Sequence, residues 1–262
     1  MERSNKVVVI PTYNEIENIR AIILAVMELE EPFDVLVVDD NSPDRTAEEV
    51  RKLEVEYPER VHLLLRTKKQ GLGTAYIAGF RWALDQGYHY VLEMDADFSH
   101  NPKDLVRLYE ACSVGGADVA IGSRYVQGVN VVNWPLGRVL MSYFASKYVQ
   151  LVTGLNVNDA TAGFVCYRAE VLFTMELDKV AFKGYGFQIE MKHTAKQCGF
   201  ELVEVPIVFV NRVLGTSKMN TSIFGEAFFG VFRLRWWSWT RKYPQKGSHR
   251  LEEGNNSEHK ES

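Results

Sequence analysis

The amino-acid sequence predicts an α/β fold, in which a mostly parallel β-sheet carries helices on both faces. Short β-branched or apolar runs alternate with segments of helical apolar spacing through the first half of the chain, a pattern that is typical of parallel sheets. Polar side chains follow the ends of several of these runs. Because ligands bind at the carboxyl ends of the strands in such sheets, we expect a site along that edge.

The apolar runs predict short strands. They span residues 6–11, 33–38, 61–65, a fourth run from residue 90 that carries Asp95 and Asp97, 118–121, part of 159–168, and 201–210. Helical spacing predicts helices at 15–29, from about Asp44 to Tyr57, at 71–84, from near Pro102, and at 136–153, 188–198 and 223–239. Because Pro206 cannot donate a ladder hydrogen bond, we expect the last strand at a sheet edge or a bulge.

The composition argues against several classes of protein. The 262 residues carry a net charge of -4, which does not suit a nucleic-acid-binding protein that works by bulk electrostatics. Three widely spaced cysteines without a C-x-x-C pattern suggest neither a zinc site nor a disulfide framework, and they favour a reducing cytosol. The first strand follows Met1 too closely for a signal peptide, and no apolar run reaches the roughly 18 residues of a membrane span.

Two carboxylates, Asp95 and Asp97, end the apolar run that begins at Tyr90. They are two residues apart on extended chain, so both can reach one target. Two anions this close repel each other unless a cation lies between them, and oxygen ligands beside room for a phosphate suit Mg²⁺ or Mn²⁺. The alternative is a solvated turn in which an aspartate caps the next helix.

Four polar side chains, Glu15, Asp40, Asp97 and Arg124, follow four of the predicted strands. Each has a structural alternative, since Glu15 suits a helix N-terminus and Asp40 can cap a turn. All four nevertheless project from the same edge of the predicted sheet, which capping explains poorly. The pattern therefore favours a functional site at this edge.

Several short motifs make the chain recognisable. They are Pro11-Thr12-Tyr13-Asn14-Glu15, Val38-Asp39-Asp40, Gly71-Leu72-Gly73-Thr74-Ala75-Tyr76, Asp95-Ala96-Asp97, Gly122-Ser123-Arg124-Tyr125, Gly184-Tyr185-Gly186-Phe187-Gln188-Ile189-Glu190-Met191, and the stretch from Phe209 to Lys218. Together they resemble glycosyltransferase family 2, with its GT-A fold, and more narrowly the polyprenol- or dolichol-phosphate mannose synthases. The resemblance covers roughly residues 6–220.

This resemblance implies a donor site for GDP-mannose. The residues around the guanine nucleotide would be Pro11, Tyr13, Glu15, Val38 and Asp40. Asp95 and Ala96 would line the nucleotide sugar, and the metal, Mg²⁺ or Mn²⁺, would lie on the diphosphate at Asp97 beside Asp95. Some relatives have Gln where this chain has Ser99, so the resemblance implies only a weaker, water-mediated metal contact for Ser99.

The resemblance also implies an acceptor site for a polyprenyl phosphate. Arg124, Arg138 and Ser142 would contact the lipid phosphate, and Arg124 would also reach the donor. Arg212 and Lys218 would close over the nucleotide diphosphate, as a lid does. The catalytic residues would then be Asp97, Arg124 and Arg138.

The implied reaction is an inverting displacement that gives polyprenyl phosphate β-mannose. The acceptor phosphate oxygen attacks the anomeric carbon, and GDP leaves from the opposite face. Because the second pKa of a phosphate monoester is near ~6, this nucleophile needs no strong general base at neutral pH. The protein must instead hold two anions together, with a metal on one and arginines on the other.

The chain divides, on this interpretation, into three parts. Residues 1–220 form the catalytic domain, 221–243 an amphipathic helix, and 244–262 a polar tail that we expect to be disordered. The aromatic and basic residues of the helix suit a membrane interface, although a core-packed terminal helix explains them equally well. We expect a peripheral protein on the cytoplasmic face of a membrane.

Three alternatives stay open from the sequence. A polyprenyl-phosphate glucosyltransferase that uses a UDP-sugar would share most motifs. A transferase acting on a sugar hydroxyl would need a general base, for which Asp159 and Glu190 are candidates. The third is a non-catalytic nucleotide-binding membrane adaptor, which the carboxylates and arginines at four sites disfavour.

Overall fold

The structure is a computed structural model that describes residues 4–184, 186–211 and 222–248, with side chains from residue 229 onward in the last range. The strands are β1 (Lys6–Thr12), β2 (Asp34–Asp39), β3 (Val61–Leu65), β4 (Tyr90–Glu93), β5 (Val119–Ser123), β6 (Val131–Val132), β7 (Val165–Arg168), β8 (Leu202–Pro206) and β9 (Phe209–Val210). The α-helices are α1 (Ile19–Met27), α2 (Thr46–Glu56), α3 (Leu72–Asp85), α4 (Asp104–Ser113), α5 (Leu136–Thr153), α6 (Ala169–Thr174), α7 (Gly186–Gln197) and α8 (Ser222–Thr240).

The main sheet has seven strands in the order β3-β2-β1-β4-β7-β5-β8. Neighbouring strands are parallel except at β7, which runs antiparallel to both β4 and β5. Because β7 opposes both of its neighbours, β4 and β5 point the same way as β1 and β2. The carboxyl ends of these four strands therefore share one edge, as the sequence predicted.

Helices cover both faces of the sheet. In β1, Val7 and Val9 lie in one buried cluster with Tyr76 and Phe80 of α3. The alternate residues of the same strand, such as Val8, lie in a second cluster on the other face, with apolar residues of α1, α2 and α4. Period-two alternation on strands that are buried on both faces explains why these runs are almost continuously apolar.

Two predicted strands differ from those observed. The run 201–210 forms two strands: β8 is an edge strand of the main sheet and ends at Pro206, and β9 pairs with β6 in a separate two-stranded sheet. The pairing partner changes from β5 to β6 after Pro206, which has no backbone amide to donate a ladder hydrogen bond. The fourth strand ends at Glu93, so Asp95 and Asp97 lie in the following loop rather than on the strand.

The first two helices differ in how well their starts were predicted. Asp44 accepts hydrogen bonds from the amide (3.0 Å) and hydroxyl (2.6 Å) of Thr46, so it stabilises the start of α2 as expected. Helix α1 begins only at Ile19, because residues 13–18 form a turn in which the Glu15 carbonyl accepts the Ile19 amide at 2.9 Å.

The C-terminal helix α8 has one buried and one exposed face. Val231 and Leu234 belong to the buried core, whereas Phe232 and Trp236 are more than half exposed. The core-packed interpretation thus describes the buried face of this helix, and the membrane-interfacial interpretation of the exposed face stays a prediction. Within the described residues, no helix combines the length and hydropathy that a bilayer crossing requires.

The residues just after α8 contact the domain. Lys246 pairs with Asp118 at 2.7 Å, and its amide donates to the Cys198 carbonyl at 2.8 Å. Residues 244–248 therefore differ from the expected disordered tail, because a basic side chain finds a buried carboxylate at the start of β5. Residues 249–262 lie outside the described residues, and the division of the chain near residue 220 stays a prediction.

Replacing Gly79 by alanine tests how closely α3 packs on the sheet. A Cβ atom at this position would lie 2.5 Å from Cγ1 of Val9, and overpacking of this kind costs about 1–3 kcal/mol. We expect Gly79→Ala to lower the free energy of unfolding by that amount in urea denaturation. Gly137→Ala, on α5 with nothing within 4 Å of the new Cβ, should be neutral or stabilising; equal losses in both variants would contradict this packing.

Candidate active site

A cavity of about 740 Å³ opens at the carboxyl edge of the strands. Its acidic side comes from Asp95 and Asp97, with Ser99 nearby, all in the loop after β4. Its basic side comes from Arg124, after β5, and Arg138 of α5. Ser142 of α5 also lines it. The structure therefore brings the predicted metal and acceptor residues into one space.

The loop after β4 is a tight turn held by its own side chains. The Ser99 amide donates to Oδ1 of Asp97 at 3.0 Å, and the Ser99 carbonyl accepts the Val210 amide at 3.1 Å. Phe98, between them, has a φ of 58°, in the left-handed region that a tight reversal requires. Asp97 is 6% exposed and faces the cavity.

The donor set of this loop fits a hard divalent cation. No group of three or more His, Cys, Asp or Glu side chains suited to a metal occurs among the described residues. Mg²⁺ is usually bound by one or two carboxylates together with waters and substrate phosphates, not by a complete protein cage. Two carboxylates, Asp95 and Asp97, beside an open cavity match that requirement, and Ser99 adds a hydroxyl within the same lining.

Arg124 is held by a buried carboxylate. Its Nε and one terminal nitrogen each donate to Asp159 at 2.6 Å, its amide donates to the same carboxylate at 3.0 Å, and Oγ1 of Thr161 accepts at 2.9 Å. Asp159 is fully buried. Burial alone would raise the pKa of Asp159, but the Arg124 guanidinium outweighs this and holds that pKa below its usual range.

The backbone at Asp159 is held by hydrogen bonds to Glu204. Oε1 of Glu204, on β8, accepts the Asp159 amide at 2.9 Å, and its Oε2 accepts the Asn158 amide at 2.8 Å. A carboxylate that is ionised, buried and fully engaged with Arg124 serves to orient that arginine. It does not suit the general-base role that one alternative gave it.

Glu190, the other candidate base, is also engaged elsewhere. Its carboxylate accepts the backbone amides of Ala181 and Phe182 at 2.9 and 2.8 Å. Burial raises the pKa of Glu190, and these hydrogen bonds partly offset the rise. Glu190 therefore braces the segment before α7, and it does not line the cavity.

Aromatic rings hold the two arginines in place. The guanidinium carbon of Arg138 lies 4.1 Å from the centre of the Trp134 ring, and that of Arg124 lies 5.4 Å from it. Arg138 also donates to Oδ1 of Asn211 at 3.2 Å. Such contacts keep a cation in place at the cavity without burying an unpaired charge. Sequence reasoning missed Trp134 and Asn211, although Trp134 directly precedes Pro135 at the start of α5.

His100 contributes a second aromatic contact that sequence reasoning did not assign. Its ring stacks on Phe164 with centroids 4.7 Å apart, and Phe209 meets it edge-on at 5.3 Å. Burial lowers the pKa of His100, so the ring is neutral at neutral pH. The His100 ring lines the cavity.

The residues expected around the nucleotide lie along the same edge, at the ends of β1 and β2. Pro11 pairs with Val38 in the sheet register, and the Asp40 amide donates to the Thr12 carbonyl at 3.0 Å. Nζ of Lys69 lies 4.5 Å from the centroid of the Tyr13 ring. None of these side chains lines the 740 Å³ cavity.

Glu15 and Asp40 have partners of their own in this region. The Glu15 amide donates to Thr46 at 3.1 Å. Asp40 pairs with Nε of Arg66 at 3.2 Å. Burial raises the pKa of Asp40, and Arg66 opposes that rise. Sequence reasoning did not identify Arg66, whose signal is its position just past the end of β3.

Arg212 and Lys218 lie outside the described residues, so their role in closing over the diphosphate stays a prediction. Strand β9 precedes them in the chain. Phe209 of β9 and Asn211, which follows β9, both line the cavity.

Comparison with known proteins identifies the family. Residues 7–173 match the model of glycosyl transferase family 2. The chain belongs to this family. It is 49% identical over 225 residues to an undecaprenyl-phosphate mannosyltransferase of Micrococcus luteus, covering 86% of this chain and 91% of that protein. It is also 49% identical over 224 residues to a polyprenol monophosphomannose synthase of Mycolicibacterium smegmatis, covering 86% and 84%.

Solved structures of distant relatives confirm the GT-A fold of this family 2 glycosyltransferase. Glucosyl-3-phosphoglycerate synthase of Mycobacterium tuberculosis, with Mn²⁺, UDP and glucosyl-3-phosphoglycerate, aligns with a TM-score of 0.61 at 17% identity, over 89% of this chain and 79% of that one. The mannosyltransferase PcManGT of Pyrobaculum calidifontis, with GDP-Man and Mn²⁺, aligns with a TM-score of 0.56 at 18% identity, over 91% and 72%.

Removing the charge of Asp159 tests whether it orients Arg124. In Asp159→Asn, the buried guanidinium loses its counter-charge, and breaking a buried pair costs about 3–5 kcal/mol. We expect the free energy of unfolding to fall by about 3 kcal/mol, and sugar transfer to fall at least about tenfold at a temperature where the variant is folded. Asp104→Asn, which breaks an exposed pair with Arg107, should change stability by less than about 1 kcal/mol. Full activity of folded Asp159→Asn would contradict the assignment.

Proposed function

We propose that this family 2 glycosyltransferase transfers mannose from GDP-mannose to a polyprenyl phosphate, with inversion, to give polyprenyl phosphate β-mannose. The observation that carries the proposal is the composition of one cavity. Carboxylates, arginines and a long apolar wall face the same space, and these are the three features that a metal-bound sugar diphosphate and a lipid phosphate require. The names of the two relatives at 49% identity support both the sugar and the lipid.

The acceptor half suits a lipid with an anionic head. Arg124, Arg138 and Ser142 lie at one end of the cavity, where they would bind the phosphate. The wall beyond them is apolar or aromatic and comes from α5, α8 and the segment after β8; its members include Met141, Phe144, Tyr148, Ile207 and Phe229. An isoprenoid chain would remove this surface from water, whereas a sugar acceptor would leave it uncovered.

The side chains support a displacement without a general base. A lipid phosphate is largely a dianion at neutral pH, and one of its oxygens attacks the anomeric carbon as the bond to the GDP oxygen breaks. Arg124 and Arg138 would align that oxygen and offset its approach to the donor diphosphate. Asp159 and Glu190, the candidate bases, are committed to Arg124 and to backbone amides.

The donor half follows the edge of the sheet from the cavity to the ends of β1 and β2. Pro11, Tyr13, Glu15, Val38 and Asp40 would surround the guanine nucleotide, and the Asp40 carboxylate is paired with Arg66. Asp95 and Ala96 would line the nucleotide sugar, and Arg212 and Lys218 would close over the diphosphate. The divalent cation, Mg²⁺ or Mn²⁺, held by Asp97 and Asp95 with a weaker contact to Ser99, would neutralise the leaving diphosphate.

The exposed face of α8 and its neighbour α5 suits a membrane surface. Exposed apolar side chains on these two helices include Leu136, Leu140, Phe144, Leu151, Phe232, Trp236 and Trp239. Arg235 lies 4.7 Å from the centre of the Trp239 ring, and Tyr148 of α5 meets Phe232 of α8 edge-on at 6.0 Å. Aromatic residues with adjacent cations are the signature of an interfacial helix on anionic lipid, so the enzyme would work as a peripheral protein on the cytoplasmic face.

Nucleotide preference can be measured directly by titration calorimetry. With Mn²⁺ present, we expect GDP-mannose to bind at least about tenfold more tightly than UDP-glucose, and we expect both to weaken when the metal is chelated. Tighter binding of UDP-glucose would favour the polyprenyl-phosphate glucosyltransferase. Binding of neither would favour a non-catalytic adaptor.

Asp97→Ala tests the metal site. Without this carboxylate the cation on the diphosphate loses a ligand, and transfer of mannose to a short polyprenyl phosphate should fall by about 100-fold or more. The melting temperature should stay close to that of the parent. Asp85→Ala, at the exposed end of α3, serves as the matched control and should retain full activity; near-normal turnover by Asp97→Ala would remove the metal from the mechanism.

Membrane association is tested with two tryptophans. Trp236→Ser combined with Trp239→Ser removes two large exposed rings from α8, and we expect co-sedimentation with vesicles of anionic phospholipid to weaken about tenfold or more. Val55→Ser combined with Val114→Ser, at exposed sites on α2 and just after α4, should leave it unchanged. Equal binding by both double variants would place the membrane contact elsewhere.

A further inference from the structure

Two buried polar side chains lie one turn apart on α7. Gln188 is 3% exposed and Lys192 is 0% exposed, and their i, i+4 spacing puts them on the same face of the helix. Taking an ammonium group out of water costs several kcal/mol. An apolar side chain would fill the same space without that cost, so packing alone does not account for Lys192.

Lys192 hydrogen-bonds to the loop that holds Arg124. Its Nζ donates to the Ala162 carbonyl at 2.6 Å, to the Gln188 carbonyl at 3.1 Å and to Oε1 of Gln188 at 3.3 Å. Ala162 lies between β5 and β7 in the segment that also carries Asp159 and Thr161, the two partners of the Arg124 guanidinium. Lys192 therefore ties this segment to α7.

Gln188 connects the same point of α7 to the acidic side of the cavity. Its amide nitrogen donates to Oε2 of Glu93 at 2.5 Å. Glu93 is the last residue of β4, and the chain continues directly into Asp95 and Asp97. Gln188 itself lines the cavity.

We propose that Gln188 and Lys192 form a brace that fixes the Arg124-holding segment relative to the end of β4, so that Lys192 is a positioning residue for sugar transfer. Neither side chain is assigned a contact with a reacting atom. The brace sets the distance between the side of the cavity that holds the metal and the side that holds the acceptor phosphate. The inference rests on the proposed function for what those two sides bind.

The charges around Lys192 support a structural cation at this position. Burial lowers the pKa of Lys192, whereas Glu93, Asp159 and Glu204 act in the opposite direction and Arg124 adds to the lowering. Asp159 of the Arg124-holding segment and Glu204 of β8 thus favour the ammonium, whereas burial raises the pKa of Glu93 to about 8.

Lys192→Met tests the brace, because methionine keeps most of the length of the side chain and removes all three hydrogen bonds. We expect kcat for transfer to fall by about 10- to 100-fold, the range that small misplacements of reacting groups produce. The KM for GDP-mannose should change less than about threefold, since no donor contact is removed. Hydrogen exchange of the amides in residues 158–163 should become faster, a readout that needs no substrate.

Lys6→Met is the matched control. Lys6 is another buried lysine, paired with Glu31 at 2.6 Å, but it lies at the start of β1, on the edge of the sheet opposite the cavity. We expect Lys6→Met to lower the free energy of unfolding. Its kcat should stay within twofold of the parent, and amide hydrogen exchange in residues 158–163 should be unchanged. Equal losses of kcat in Lys6→Met and Lys192→Met would reduce the effect to general destabilisation and overturn the proposal.

A double-mutant cycle with Thr161→Val checks the route of the effect. If Lys192 acts through the segment that holds Arg124, the two changes in kcat will be less than multiplicative when combined. Multiplicative effects would show that Lys192 acts independently of Arg124 and would overturn the brace.

Gln188→Met is a second variant that tests the brace, and it replaces Lys192→Met if that variant does not fold. It removes the hydrogen bond to Glu93 and leaves the bond from Lys192 to Ala162, so we expect a kcat loss of about threefold to tenfold. Folded variants that keep kcat within twofold and normal exchange at residues 158–163 would overturn the proposal. Failure of the parent protein to use GDP-mannose would instead contradict the proposed function, and the exchange measurement would still test the brace.

Discussion

The bidentate ion pair between Arg124 and Asp159 is the interaction on which the site depends. A guanidinium at the edge of a largely apolar cavity needs a fixed counter-charge, and Asp159 provides one at 2.6 Å on two nitrogens. Glu204 on β8 holds the backbone on which Asp159 is carried. The orientation of Arg124 is therefore set by three parts of the chain that meet only in the folded sheet, and planar two-point pairing makes that orientation rigid.

The balance of charge across the cavity explains how one protein could bring two anions together. Asp95 and Asp97 create a surplus of negative charge on one side, which a divalent cation offsets. Arg124 and Arg138 place guanidinium groups on the other, where the charge of Arg124 is already paired with Asp159, and both guanidinium groups lie close to the Trp134 ring. In the proposed reaction, a metal-bound sugar diphosphate would occupy the first side and a lipid phosphate the second. Neither would then need a general base.

Helix α5 connects the site to the exposed surface. Ser146 and Thr153 are buried, Met141, Ser142 and Ala145 line the cavity, and Leu140 and Leu151 are exposed. Phe144 both lines the cavity and is exposed. One helix thus presents a core face, a ligand face and an apolar outer face. The apolar outer face is continuous with that of α8 through Tyr148 and Phe232, which would let the chain of a lipid leave the cavity along the same surface that meets the membrane.

The sequence by itself determined most of the strands and helices, the shared edge of the sheet and the acidic pair that follows the apolar run from Tyr90. These features follow from short-range patterns: period-two and period-3.6 spacing of apolar residues, and polar residues where an apolar run stops. Helix α5 was predicted with the bounds that it has, because its apolar spacing is uninterrupted between Pro135 and Gly154.

Only the tertiary structure decided which partner each polar side chain has. Asp159 lies 35 residues from Arg124, and Glu93 lies 95 residues from Gln188, so no local pattern records either pair. The antiparallel β7 brings the segment that carries Asp159 to the end of β5, and its four residues read only as a short strand in the sequence. The same pairing decides that Asp159 and Glu190 orient other groups instead of accepting a proton, since the role of a carboxylate depends on its neighbours in space and not on its neighbours in the chain.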